Sequence, residues 1–168
     1  AVLEEGFKIY PEDPWFLQNI INFYIYNQKI EEASKYLEAA IKQAPNVAEY
    51  YYVKGNIEER LENMPEARKA FEKALELQPN MASAHAGIGR LIFNQGVEIL
   101  KAADAIKDNK LYNKEVEKAN AIFRESMPFM EKAVELDKSD NDFKQALKML
   151  YYRLGENDKY NAMMKEGE

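Results

Sequence analysis

The sequence predicts an all-α protein, a solenoid of antiparallel helix pairs in which one repeat has extended helices. Three observations predict it. Prolines fall at Pro11, Pro45 and Pro79, evenly spaced at a step of about 34 residues. Residues between them recur at the same step: Ala33 and Ala67, Leu37 and Phe71, Ala40 and Ala74, and the series Asn22, Asn56 and Arg90. Within each period the apolar residues stand three and four apart, the spacing that places side chains on one face of a helix.

The chain opens on Ala1-Val2-Leu3-Glu4-Glu5-Gly6-Phe7, which reads as the interior of a helix with no cap before it. Residues 1–11 are therefore expected to be half of a repeat within a longer chain. Residues 12–45 form the first whole repeat. Leu17, Ile20, Ile21 and Tyr24 make one apolar face, and the helix from Glu31 to Gln43 opposes it with Ala33, Leu37 and Ala40. The alanines let the two helices approach closely while Leu37 fills the space between them. Residues 46–79 repeat the plan, with a second helix from Pro65 to Gln78. Each proline removes a backbone donor and ends the second helix of its unit. One such pair cannot cover its own apolar faces, so neighbours must stack.

The run Tyr51…Gly55…Ala67…Phe71…Ala74…Pro79 resembles the tetratricopeptide repeat family, which has at these places a bulky aromatic, a small residue, a small residue, an aromatic, a small residue and a proline. Residues 14–45 match with Leu17, Ile21, Ala33, Leu37, Ala40 and Pro45. Ile21, Lys54 and Glu58 depart from the pattern. The resemblance implies a right-handed superhelix whose first helices line a concave groove for partner proteins.

The third repeat, 80–138, is interrupted. It opens with His85, Ile88, Gly89 and Ile92, and its second half returns at Ser126, Met130, Ala133 and Leu136. Lys138 takes the proline slot, one period after Pro79 plus an insertion of about 25 residues. The insertion keeps a helical rhythm. Ile92, Gln95, Ile99, Ala102 and Ile106 form one ladder and Tyr112, Val116, Ala119, Phe123, Ser126 and Met130 the other, as expected for the seam of an antiparallel helical hairpin. The turn is expected at Asp108-Asn109-Lys110, each helix being longer by roughly three turns, about 18 Å. Gly96 and Pro128 are placed to bend the helices. Residues 139–168 close the array with a pair, Asn141 to Leu154 and Asn157 to Lys165, joined at Gly155-Glu156. Lys144, Lys148 and Tyr160 break the repeat pattern, as suits a capping pair.

Composition narrows the function. The net charge is −6 and the charges are interspersed, whereas a nucleic-acid binder needs a basic surface, so no nucleic-acid partner is expected. Cysteine is absent, which removes disulfides and thiolate chemistry and leaves the compartment open. No apolar run approaches the ~18 residues of a membrane-spanning helix, and no leader is visible.

Catalytic groups are sparse, and no enzyme activity, cofactor or metal site is expected. His85 is the one histidine and occupies a packing slot; Ser34, Ser83, Ser126 and Ser139 lie in no nucleophile setting. Gly87-Ile88-Gly89 sits within a helix rather than in a phosphate loop. Glu31-Glu32 and Glu58-Glu59 are adjacent, so neither pair shares a helix face.

The residues most suited to binding lie on the non-core side of the first helices. They are Gln18, Asn22 and Tyr26 in the first repeat, and Tyr52, Asn56, Glu59 and Arg60 in the second. The third contributes Arg90, Phe93 and Asn94, and the last pair Gln145, Met149, Tyr152 and Arg153. Asparagine both donates to and accepts from a peptide backbone, and tyrosine and arginine are enriched at interface hot spots. Some members of the family grip a C-terminal carboxylate with lysines, asparagines and an arginine. Asn22 fits one such slot, but Gln18, Val53, Ser83 and Gly87 hold the others, so that clamp is not expected. The leading expectation is a scaffold that binds a partner protein or peptide segment in the groove. The alternative is self-assembly into a homo-oligomer, through the open N-terminal stacking face or the extended hairpin.

Overall fold

The computed structural model describes residues 2–10 and 13–165, with the side chains of all of these except 14 and 18. Pro11, the first proline of the periodic series, lies outside the described residues. Among the described residues there are nine α-helices and no strand, and within each of the chain's two units consecutive helices pack as neighbours. The chain forms two compact units, Ala1–Asn80 and Met81–Glu168.

The first unit contains α1 (Val2–Ile9), α2 (Pro14–Tyr26), α3 (Ile30–Gln43), α4 (Ala48–Arg60) and α5 (Met64–Leu77). The start of α2 is fixed by Asp13, whose carboxylate accepts the Trp15 N–H at 2.9 Å, with a proline in the first turn. Phe7 of α1, Leu17, Ile20 and Ile21 of α2, Ala33, Leu37 and Ala40 of α3, and Tyr50, Val53 and Ile57 of α4 form one buried cluster. Glu4 ties α1 to this group by accepting the hydroxyls of Tyr24 and Tyr36, each at 2.9 Å. Helix α4 contacts both α2 and α3, as stacking of successive pairs requires. Between α4 and α5 the buried Phe71 ring lies directly on the backbone of Gly55, where a Cβ would overlap it.

The backbone repeats as well as the sequence. Gln28 and Glu62 stand one period apart, and both have φ 59°, in the left-handed region. Each sits in the turn after a first helix. The following amides, of Lys29 and Asn63, reach back to the carbonyls of Tyr24 and Glu58 at 2.8 and 2.9 Å, the closing bond of a Schellman-type helix end. The last pair has the same turn with Gly155 at φ 72° and the Glu156 amide on Tyr151 at 2.9 Å. A left-handed conformation costs a non-glycine residue about 1 kcal/mol or more. Glu62→Gly should therefore raise stability by roughly 0.5–1 kcal/mol, read as a higher urea midpoint at unchanged slope. A lower midpoint would show that the Glu62 side chain contributes more than its backbone costs.

The second unit contains α6 (Ala82–Ala103), α7 (Asn109–Leu136), α8 (Asn141–Leu154) and α9 (Asn157–Lys165). Helices α6 and α7 have 22 and 28 residues, against 13 and 14 for α4 and α5. Gly89 packs on Met130 as Gly55 packs on Phe71, so the base of the long pair keeps the ordinary seam. Gly96 occupies the place where the other repeats turn. Here the helix runs through it, and the Phe123 ring lies so close that a Cβ would come within 2.5 Å of it.

The hairpin differs from the sequence expectation in two respects. The turn spans residues 104–108 rather than 108–110, because the Asp108 carboxylate accepts the Leu111 N–H at 2.8 Å and starts α7 there. Ile106 consequently lies in the loop, outside both helices. On α6, Gln95 and Ala102 are exposed, and the seam runs through Ile92, Gly96 and Ala103, with Ile99 and Leu100 beside it. A three-four ladder offers two choices at each step. The ring of Phe123 selects Gly96 over Gln95 and turns the seam by one residue. On α7, Ala119, Phe123, Ser126 and Met130 are buried as expected, Val116 is half-buried and Tyr112 is exposed.

Candidate partner-binding surface

In the first unit, the non-core side of α2 presents Asn22 and, at the last residue of the helix, Tyr26, which is 89% exposed. Gln18 lies outside the described side chains. On α4, Arg60 is exposed, whereas Asn56 and Glu59 are half-buried. Tyr52 is half-buried too, its ring centroid 5.9 Å from that of Phe71, so this tyrosine helps to cover the core as well as facing outward. A second surface feature of this unit is an apolar cleft of about 160 Å³ between α1 and α2, lined by Val2, Leu3, Glu4, Ile20, Phe23 and Tyr24.

In the second unit, Arg90 and Asn94 are exposed on α6. Phe93 is drawn inward against Phe123, at 4.8 Å between centroids, and serves the core. Gln145, Met149, Tyr152 and Arg153 are exposed on α8. The Arg153 guanidinium lies 4.9 Å from the centroid of the Phe123 ring, a cation–π geometry that holds the arginine against the protein.

Three of these α8 residues meet in one place. Gln145, Met149 and Tyr152 line a cleft of about 210 Å³ together with Lys148 of α8 and Tyr160 and Met164 of α9. Sequence reasoning missed the last three as binding residues, reading Lys148 and Tyr160 only as departures that cap the array. The signal was their bulk at slots that close the seam in other repeats. Helix α9 buries none of its residues fully. It is anchored by Glu131 of α7, which accepts the Tyr151 hydroxyl at 2.7 Å and the Lys159 ammonium at 2.8 Å. Burial pulls the Glu131 carboxyl upward, but the bonds from Lys159 and Tyr151 outweigh it and hold the group below its usual value. Burial first, and then Glu131, raise the Tyr151 phenol.

Groups with catalytic potential are dispersed. His85 is half-buried with its ring 6.5 Å from that of Phe129, and the buried Ser126 hydroxyl donates to the Phe123 carbonyl at 2.8 Å. Among the described residues no group of three or more histidine and carboxylate side chains is placed to hold a metal ion. No helix among them is long and apolar enough to cross a membrane.

Antiparallel helix pairs with this period, glycine–aromatic seams and equivalent left-handed turns define an all-helical repeat protein. Residues 22–82 and 60–96 match the tetratricopeptide repeat family model. Residues 22–96 thus carry tetratricopeptide repeats, and the chain has the fold of a tetratricopeptide-repeat solenoid. Solved structures share the fold. The human IFIT1 dimer with m7Gppp-AAAA aligns over 98% of this chain and 35% of its own, at 18% identity and TM-score 0.75. MamA aligns over 97% of this chain and 75% of its own, at 16% identity and TM-score 0.62. The first tetratricopeptide domain of Spaghetti (RPAP3), bound to the HSP90 peptide SRMEEVD, aligns over 83% of this chain and 93% of its own, at 16% identity and TM-score 0.61. The chain thus spans about a third of the length of IFIT1. A search of curated protein sequences finds no match.

Proposed function

We propose that the chain is a protein-interaction scaffold that presents the outer faces of its first helices to a segment of a partner protein. The observation that carries this reading is the side-chain chemistry of those faces. Tyr26, Arg60, Tyr152 and Arg153 are exposed, large and able to donate hydrogen bonds, on helices whose opposite sides are committed to the core. The Spaghetti domain, alike in fold, binds a peptide. The IFIT1 dimer holds m7Gppp-AAAA, but the net charge of −6 on this chain favours a protein ligand over a phosphate backbone.

The test uses the full chain as bait to capture and identify a partner, followed by the double variant Tyr26→Ala with Arg60→Ala. Affinity for the captured partner should fall by about thirtyfold or more, as for a hot-spot truncation of about 2 kcal/mol. The thermal midpoint should shift by only about 2 °C, because both residues are exposed. Unchanged affinity would remove α2 and α4 from the binding surface. The α1–α2 cleft supports a second reading, self-association through its apolar lining. A mass that rises with concentration and falls back in a Phe23→Glu variant would favour that reading.

A further inference from the structure

We infer that the α8–α9 cleft is a binding site for an acidic peptide segment carrying an apolar anchor residue. This rests on the protein-binding reading above and assigns a ligand chemistry to one part of the surface.

The cleft exists because of what fills its seam. Lys148, Tyr160 and Met164 stand where the α4–α5 pair has Gly55, Ala67 and Phe71. In α4–α5 those three residues are buried, and the ring of Phe71 rests on bare glycine backbone, which closes the seam. A lysine in the glycine slot cannot receive a ring in that way, because its Cβ and stem occupy the space and its ammonium must stay hydrated. A tyrosine in the alanine slot adds bulk where close approach is needed. Tyr160 instead packs against Tyr152, at 5.7 Å between centroids, and the space beside them is left open. The Glu131 clamp ties both helices to α7, and Tyr160 and Met163 pack against the core cluster beside it. The opening is therefore built into the sequence at three matched positions.

The lining specifies the occupant. Met149, Met164, Tyr152 and Tyr160 supply apolar walls, and methionine adapts its shape to an incoming side chain. Gln145 offers an amide to a backbone. Among the described residues Lys148 is the one charged lining residue, and it has no ion-pair partner among them. Lys144 lies one turn before it on α8. Among the described residues no carboxylate lines the cleft, although the chain as a whole carries 29 acidic against 23 basic residues. An apolar side chain would fill the walls, and a neighbouring carboxylate would meet Lys148 at the rim.

The probe is a fluorescein-labelled peptide with a central leucine flanked by glutamates, titrated into the full chain. Two controls replace the glutamates by glutamines or the leucine by glycine. Fluorescence anisotropy should show binding of the first peptide and weaker binding of both controls. Lys148→Glu should reduce affinity for the glutamate peptide about tenfold and raise it for a lysine-flanked version. With methyl-labelled methionine, the Met149 and Met164 signals should shift on binding while those of Met81 and Met130 stay. No binding of the glutamate peptide, equal affinity for the glutamine peptide, an unaffected Lys148→Glu variant or static Met149 and Met164 signals would each overturn the proposal. The broader scaffold reading has its own variants, at Tyr26 and Arg60, so either can fail while the other stands.

Discussion

Phe71→Ala should lower the stability of the chain by about 3–5 kcal/mol, the range for deleting a fully buried aromatic ring. Phe71 has no exposed surface, covers the backbone of Gly55 and supports the half-buried Tyr52. Gly55→Ala should also destabilise, by about 1–3 kcal/mol, because the added methyl group would run into the same ring. The first repeat shows what compensates. Ile21 stands in the glycine slot there and Leu37 in the aromatic slot, and both are buried in one cluster. A Gly55→Ala/Phe71→Leu double variant should therefore be more stable than the sum of its singles predicts, a coupling that a double-mutant cycle in urea measures directly. Strict additivity would mean that the ring-on-glycine contact does not set the spacing of α4 and α5.

Amides at the far end of the α6–α7 arm should exchange with solvent several orders of magnitude faster than those around Phe123, since local opening free energies run from near zero up to the global value. Between Ala103 and Ala119 no residue is fully buried, and residues 107–114 are all exposed. The arm also offers a clean excision. Deleting residues 97–121 removes the insertion and restores the period, leaving Gly96 where Glu62 stands in the preceding repeat, the place of the left-handed turn residue. Gly96 adopts that conformation without strain. The shortened unit should retain cooperative unfolding and lose only the helical signal of the arm, because repeats depend on their neighbours rather than on distant segments. Slow exchange at residues 107–114 would mean that the tip is covered. Loss of cooperative unfolding on excision would make the arm integral to the unit.

The architecture was legible because its causes are periodic. The constant step between proline, alanine and aromatic residues appears directly in the text of the sequence, and even the insertion announces itself as a delayed return of Ser126, Met130 and Ala133. What was not legible depends on single contacts. The seam of α6 passes through Gly96 rather than Gln95 because one ring needs a flat surface, and a hydropathy ladder cannot rank those two positions. The arm turns before Asp108 because that carboxylate caps the next helix. Of the proposed surface residues, Phe93 and Tyr52 are pulled toward the core by their aromatic neighbours, since a residue one position off an apolar stripe can lean either way. In the sequence Lys148 and Tyr160 are departures from the pattern that suit a capping pair; only with Met164 and Tyr152 beside them in space do they outline a cleft.

The walls of that cleft carry a chemical liability. Met149 is 62% exposed and Met164 47%, whereas Met81 and Met130 are buried. Peroxide reaches accessible thioethers first, and each sulfoxide replaces a soft apolar surface with a polar, chiral oxygen. Oxidation would thus convert the lining from greasy to wet without touching the core. The modification is reversed by methionine sulfoxide reductases. In a chain with no cysteine, these two thioethers are what an oxidant would meet at this site, and their oxidation would disfavour an apolar side chain in the cleft.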